Sequence, residues 1–119
     1  MKDIIYTPDA PEPVGPYSQA IMVGDTLYCS GQIALDNLAD DVAMQTEKVC
    51  VNVRALIVAA GLQMSDVVKT TCFLTDMDDF AAFNEVYAKY FSHKPARSTI
   101  AVSGLPKGAL VEIEVIAVR

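Results

Sequence analysis

Apolar residues recur at helical spacing over residues 41–60, at Val42, Val49, Val53, Leu56, Ile57 and Ala60. Asp40 or Asp41 can cap the start, where a carboxylate accepts from unpaired first-turn N–H groups, and Gly61 supplies a left-handed stop. A second stripe, Phe80, Phe83, Tyr87 and Phe91, predicts a helix over residues 76–91 with Asp76 as its cap. The remaining apolar segments are shorter and strand-like. Residues 20–22 and 26–30 read as two strands with Gly24-Asp25 as the hairpin turn and Gly31 as the end of the second. Ser65-Asp66 opens a strand over residues 67–74. Pro95 breaks the helical pattern, and strands over 97–102 and 110–118 follow, joined through Leu105-Pro106-Lys107-Gly108. Residues 11–19, PEPVGPYSQ, exclude a helix and set a turn that delivers Tyr17 and Ser18 to the first of these strands.

Strands interleaved with two helices suggest right-handed crossovers, which place both helices on one face of a mixed α+β sheet. Two helices cover only one side, yet residues 67–74 and 111–118 carry apolar groups on both. At about 25 cal/mol per Å² of apolar surface, covering the other side with further copies of the chain is strongly favoured, so a homo-oligomer is expected.

The 119 residues have room for one domain, 1–119, and one core. With 52% hydrophobic and 20% charged residues the chain is far from the disordered regime. Nine basic against fifteen acidic side chains give a net charge of -6 with no basic stripe, which argues against nucleic acid as a partner. No run approaches a membrane span and the first residues lack a secretory signal's apolar stretch. Cys29, Cys50 and Cys72 are odd in number and embedded in apolar segments, as expected of buried thiols in a reducing compartment; a cytoplasmic address follows.

Arg97 stands at the entrance of an otherwise apolar strand. Its fork offers two parallel donors to a carboxylate, although a strand-end arginine also commonly lies in solvent or pairs with an aspartate. Glu112 and Glu114 alternate with Val111, Ile113 and Val115 and so share a face. Turned inward, that face makes a desolvated carboxylate suited to moving protons; turned outward, it is a wet strand face. Asn84 falls within the second stripe, either clamping a neighbouring loop or meeting water at the stripe's edge. Tyr17 and Ser30 flank glycine-containing turns, where they either close the turn or approach a ligand. The lone His93 reads as a charge partner for the end of the second helix. There is no phosphate loop, dinucleotide fingerprint or metal-ligand cluster in the sequence.

Six segments in order, Gly15-Pro16-Tyr17-Ser18-Gln19-Ala20, Ser30-Gly31-Gln32-Ile33, Ala59-Ala60-Gly61-Leu62, Val68-Lys69-Thr70-Thr71, Pro95-Ala96-Arg97-Ser98 and Val111-Glu112-Ile113-Glu114-Val115-Ile116-Ala117, resemble the RidA branch of the YjgF family, the reactive-intermediate (enamine/imine) deaminases. The resemblance spans essentially the whole chain. It implies a chorismate-mutase-like α+β fold and a homotrimer with a central sheet barrel and sites between subunits. The implied activity is hydrolysis of 2-imino acids released by pyridoxal-phosphate dehydratases, with no cofactor or metal. By position, Arg97 resembles the residue that grips the substrate carboxylate and Glu112 the one that activates water. Tyr17, Ser30, Gly31, Asn84 and Thr99 fall at pocket positions. Thr99 departs from the cysteine often found there, where the contact is attributed mainly to backbone. Shorter segments around 36–41 and 91–95 bear on loop shape and substrate size more than on reaction class. The alternative reading is a non-catalytic module that binds 2-keto acids.

Overall fold

The computed structural model of the chain describes residues 2–119. Its elements are β1 (Lys2–Ile5), β2 (Ala20–Val23), β3 (Thr26–Gln32), α1 (Val42–Ala59), β4 (Val67–Leu74), α2 (Phe80–Tyr90), β5 (Ala96–Ala101) and β6 (Val111–Val118). They form one six-stranded sheet in the order β1-β2-β3-β6-β4-β5, with β4 and β5 parallel and the other pairs antiparallel. The parallel pair is joined through α2, since two parallel neighbours need a crossover.

The helix signals act as the side-chain chemistry dictates. Asp41 accepts from the Met44 N–H at 2.9 Å and caps α1. At the other end Gly61 takes φ +78, and the N–H groups of Gly61 and Leu62 close back on the Val58 and Ile57 carbonyls. The second helix begins later than its stripe suggests. Asp76 caps a 3-10 turn, Met77–Asp79, accepting from the Asp78 N–H at 2.9 Å, and α2 follows from Phe80.

Two strands depart from the sequence pattern. β1 is an edge strand of four residues, mostly exposed, that pairs with β2; nothing in its alternation announces it. β3 does not end at Gly31. It bulges between Cys29 and Gln32, so that Ser30 and Gly31 together oppose Glu114, and continues to Gln32. The extra residue lets Cys29 and Gln32 both turn toward the core.

Both helices lie over one sheet face. Val111, Ile113, Val115 and Ala117 of β6 and Thr70, Cys72 and Leu74 of β4 point into the core with Val49, Val53, Leu56, Ile57 and Phe83. Among the described residues no layer covers the opposite face. Ile21, Tyr28 and Ile116 lie side by side across β2, β3 and β6, and Phe73 pairs with Ile100 on β4 and β5. Tyr28 is 51% and Ile100 47% exposed, so the apolar residues expected on both sides of the sheet are there and are open. No helix among the described residues is long and apolar enough to cross a membrane.

Buried amides fasten the loops. Gln45, fully buried on α1, donates to the carbonyls of Leu38 (3.2 Å) and Asp40 (3.0 Å) and accepts from the Leu110 N–H (3.0 Å). Gln19 accepts from the Thr7 N–H (2.8 Å) and donates to the Pro11 carbonyl (2.9 Å), holding the segment before β2. Replacing Gln45 by leucine strands buried backbone groups in two loops. The expected loss is about 2–4 kcal/mol of stability, read from urea unfolding.

Candidate functional site

Arg97 and Thr99 alternate with Ser98 on β5 and point to the helix side of the sheet, opposite Thr70 and Cys72 of β4. The Arg97 guanidinium is seated between the sheet and α2. Its Nη1 donates to Asn84 Oδ1 at 2.8 Å, and its carbon lies 4.8 Å from the ring centre of Tyr87, 5.5 Å from Phe80 and 5.8 Å from Phe83. Cation–π attraction and one amide therefore hold the charge. Among the described residues Arg97 forms no ion pair, and the rest of its donor fork has no acceptor. A cleft of about 470 Å³ opens here, lined by Asn84, Tyr87, Ala88, Phe91, Pro95 and Arg97. The Thr99 hydroxyl is buried and has no hydrogen-bond partner among the described residues.

Of the readings open for Asn84, neither a loop clamp nor a merely wet stripe edge describes it: its amide oxygen accepts from Arg97 and it lines the cleft, the kind of position that the resemblance implied. The aromatic stripe of α2 also has a second use. Phe80, Phe83 and Tyr87 fill the core from one side and floor the Arg97 site from the other. Periodicity reports only that such residues are buried, so their contact with a cation was not legible; the polar Asn84 interrupting the stripe was the available signal.

A second cluster gathers around Glu112. This residue pairs with Phe73 on β4, on the face away from the helices, with Glu114 beside it on the same side. Its carboxyl is held above the ordinary value of 4.5, first by burial and then by the charge of Glu114. The bulge brings the Gly31 backbone against it. A Cβ built on Gly31 falls 2.5 Å from Glu112 Oε2 and 2.7 Å from Cδ, closer than real contacts allow, so any other residue there would displace the carboxylate from this position. Ser30 donates from Oγ to the Ser18 carbonyl at 2.6 Å, and Tyr17 accepts at Oη from the Val14 N–H at 3.2 Å. Both therefore close the turn. They also line one open cleft of about 430 Å³, while Tyr17 and Gly31 share an adjoining recess.

The structure thus sorts the expected residues into two groups, Arg97, Asn84 and Thr99 in one and Tyr17, Ser30, Gly31 and Glu112 in the other. Within one chain the groups do not meet. Arg97 and Glu112 project from opposite faces of the sheet, on strands separated by β4, which is about 9.5 Å across at two strand spacings.

The remaining reactive side chains stand apart from both groups. His93 does not serve the end of α2. Its Nε2 lies 2.8 Å from the Val67 carbonyl of β4 and its ring is tilted against Phe91. Cys29, Cys50 and Cys72 are free and buried, and burial pushes the thiols of Cys29 and Cys72 up to about 12 and about 11. These are unreactive core thiols.

Residues 7–119 match the family model described as endoribonuclease L-PSP. A RutC family protein of Pyrococcus horikoshii is 49% identical, covering 100% of this chain and 99% of its own. The 2-iminobutanoate/2-iminopropanoate deaminase of Dermatophagoides farinae is 46% identical over 98% of this chain and 96% of its own. Among solved structures, RidA from an Antarctic Psychrobacter species superposes with a TM-score of 0.94 at 43% identity, covering 98% of this chain and 99% of its own. E. coli TdcF with bound serine superposes at 0.94 with 42% identity, covering 98% of each chain. Sequence and fold agree over nearly the whole length, and the chain belongs to the YjgF/RidA family.

Proposed function

We propose that this protein is a 2-iminobutanoate/2-iminopropanoate deaminase that hydrolyses the enamine/imine products of pyridoxal-phosphate-dependent dehydratases to 2-keto acids and ammonia. The observation that carries this reading is the Arg97 guanidinium, seated on aromatic rings and Asn84 and lacking a carboxylate of its own chain among the described residues. A small acid supplies the missing charge. The relative of that name at 46% identity supports the reading, as does the E. coli relative solved with serine, an amino acid with one free carboxylate.

The chemistry asks for orientation more than power. A 2-imino acid is already electrophilic at C2. Arg97 grips the carboxylate through two parallel N–H donors and so aims C2, while Thr99 and Asn84 complete that side. Glu112 orients a water and accepts its proton as the oxygen bonds to C2. Returned to nitrogen, that proton gives the carbinolamine, HO–C2–NH2; passage of the remaining hydroxyl proton through Glu112 to nitrogen then forms the C=O bond as the C–N bond breaks, releasing ammonia and leaving the keto acid. Tyr17, Ser30 and Gly31 shape the pocket around the carboxylate.

Because Arg97 and Glu112 face opposite ways in one chain, this mechanism takes them from two copies. The open apolar face of the sheet is the surface along which copies meet, in a homotrimer whose sheets face inward. A reducing, cytoplasmic setting suits the three free thiols. Action on RNA, which the family description names, is disfavoured by the net charge of -6.

Three outcomes are expected. In an assay coupled to a threonine dehydratase, Arg97→Ala loses more than about 100-fold in acceleration of keto-acid release while sedimenting as the same oligomer. Wild-type rates in that variant, or a wild-type protein that binds 2-ketobutyrate without accelerating anything, remove the assignment. Mixing denatured Arg97→Ala and Glu112→Gln chains and refolding them together regenerates about a quarter of wild-type activity, since a quarter of the shared sites then draw both intact residues from different chains. No recovery means that the site is not shared. Finally, Glu112 works ionised, so activity rises with pH through its titration. Glu114→Gln removes one of the two causes that raise its pKa and shifts this acid limb to lower pH in a pH–rate profile.

A further inference from the structure

Thr70 and Tyr87 lie behind Arg97. Thr70 is directly across from Arg97 in the parallel register of β4 and β5, and it is completely buried. Its hydroxyl lies 2.7 Å from Tyr87 Oη, and this contact ties β4 to α2 beneath the arginine. Tyr87 is the nearest of the three rings, 4.8 Å from the guanidinium carbon. The same ring stacks on Phe91 at 4.5 Å and tilts on Phe83 at 5.4 Å. The surface under the cation is therefore fixed by packing on two sides and by a hydrogen bond at its far end.

Core packing alone does not call for this pair. A strand residue facing a core is ordinarily served by valine, and a buried ring by phenylalanine. Burying two hydroxyls is tolerable here because one donates to the other, and an apolar pair of the same shapes would be close to neutral for stability. What the hydroxyl pair adds is geometry. Arginine reaches its site through a long flexible stem, and bidentate capture of a carboxylate requires the planar fork to be held at one height and tilt. Asn84 restrains a single nitrogen. The pinned ring sets the plane.

We infer that Thr70 and Tyr87 form a positioning pair for Arg97, in which the buried hydroxyl contact locks the ring that orients the guanidinium for a substrate carboxylate. Neither residue touches the reacting atoms; both act through the arginine. The inference rests on the carboxylate role proposed for Arg97 and goes beyond it by assigning the parts that make that residue rigid.

The test is calorimetric titration of the intact protein with 2-ketobutyrate, using wild type, Thr70→Val, Tyr87→Phe, their double variant and Thr70→Ser. Each of the first two variants is expected to weaken binding about fivefold, and the double variant no more than either alone, because one contact is lost in all three. Thr70→Ser keeps the hydroxyl and returns to near wild-type affinity. In the imine assay KM rises by the same factor while kcat falls less, the signature of lost ground-state and transition-state binding together. A purely structural role would lower the melting temperature and the fraction of sites able to bind, leaving Kd unchanged. Wild-type binding that Thr70→Val and Tyr87→Phe leave unaltered overturns the positioning role alone. A wild-type protein that binds no 2-ketobutyrate overturns the carboxylate role of Arg97 and this inference with it.

Discussion

A cation partly withdrawn from water with no anion of its own organises this molecule. Arginine cannot shed its proton to relieve the cost of burial, so its surroundings must supply compensation. At Arg97 they supply quadrupoles and one amide oxygen, from Tyr87, Phe80, Phe83 and Asn84, and among the described residues no full negative charge. The two ion pairs among the described residues, Lys89 with Glu47 and Arg119 with Asp25, lie at the surface and are long, at 4.0 and 3.8 Å. They contribute little. Arg97 shares with Arg54, which lies over Tyr90, the lack of a carboxylate partner among the described residues; what sets it apart is its seat over three rings at the mouth of a cleft.

The pleat of the sheet imposes the second constraint. Successive side chains on a strand must project to opposite faces, so a sheet with helices on one side divides its polar residues between two environments. Arg97 goes to the helix side at the β5 edge, and Glu112 to the open side in the middle of the sheet. The bulge at Ser30-Gly31 then brings bare backbone against Glu112, half-burying a carboxylate that the flat strand pattern would leave wet. One chain carries two separate polar clusters and an apolar sheet face left open among the described residues. The exposed sheet face and the separation of the two polar clusters both follow from the same alternation of faces.

Much of the fold was legible in the residues because local rules agree with tertiary ones. The α1 stripe, its Asp41 cap and its Gly61 stop all appear where the sequence puts them, and so does the strand over residues 67–74. The parts that were not legible depend on contacts remote in sequence. β1 exists only because the edge of β2 offers it partners, and β3 runs past Gly31 because β6 accommodates the bulge. The start of α2 moved from Asp76 to Phe80 because the aspartate caps a 3-10 turn first. Gln19 and Gln45 are chemically unremarkable amides in sequence. Their importance lies in the carbonyls of distant loops, which no periodicity reports.

For the site, the sequence by itself determined the chemical inventory. It showed a guanidinium at a strand entrance, paired glutamates alternating along the last strand, an amide inside an aromatic stripe and a glycine at the end of a hairpin, and family resemblance marked the same positions. Tertiary structure decided what each could do. It made Asn84, whose role the sequence left open, the partner of Arg97, moved His93 to the Val67 carbonyl, and gave Tyr87 a place under the cation with Thr70 behind it. The reason is physical. Residue type and spacing fix charge, hydrogen-bonding capacity and face, whereas burial and the identity of the nearest partner depend on elements that pack together from distant parts of the chain.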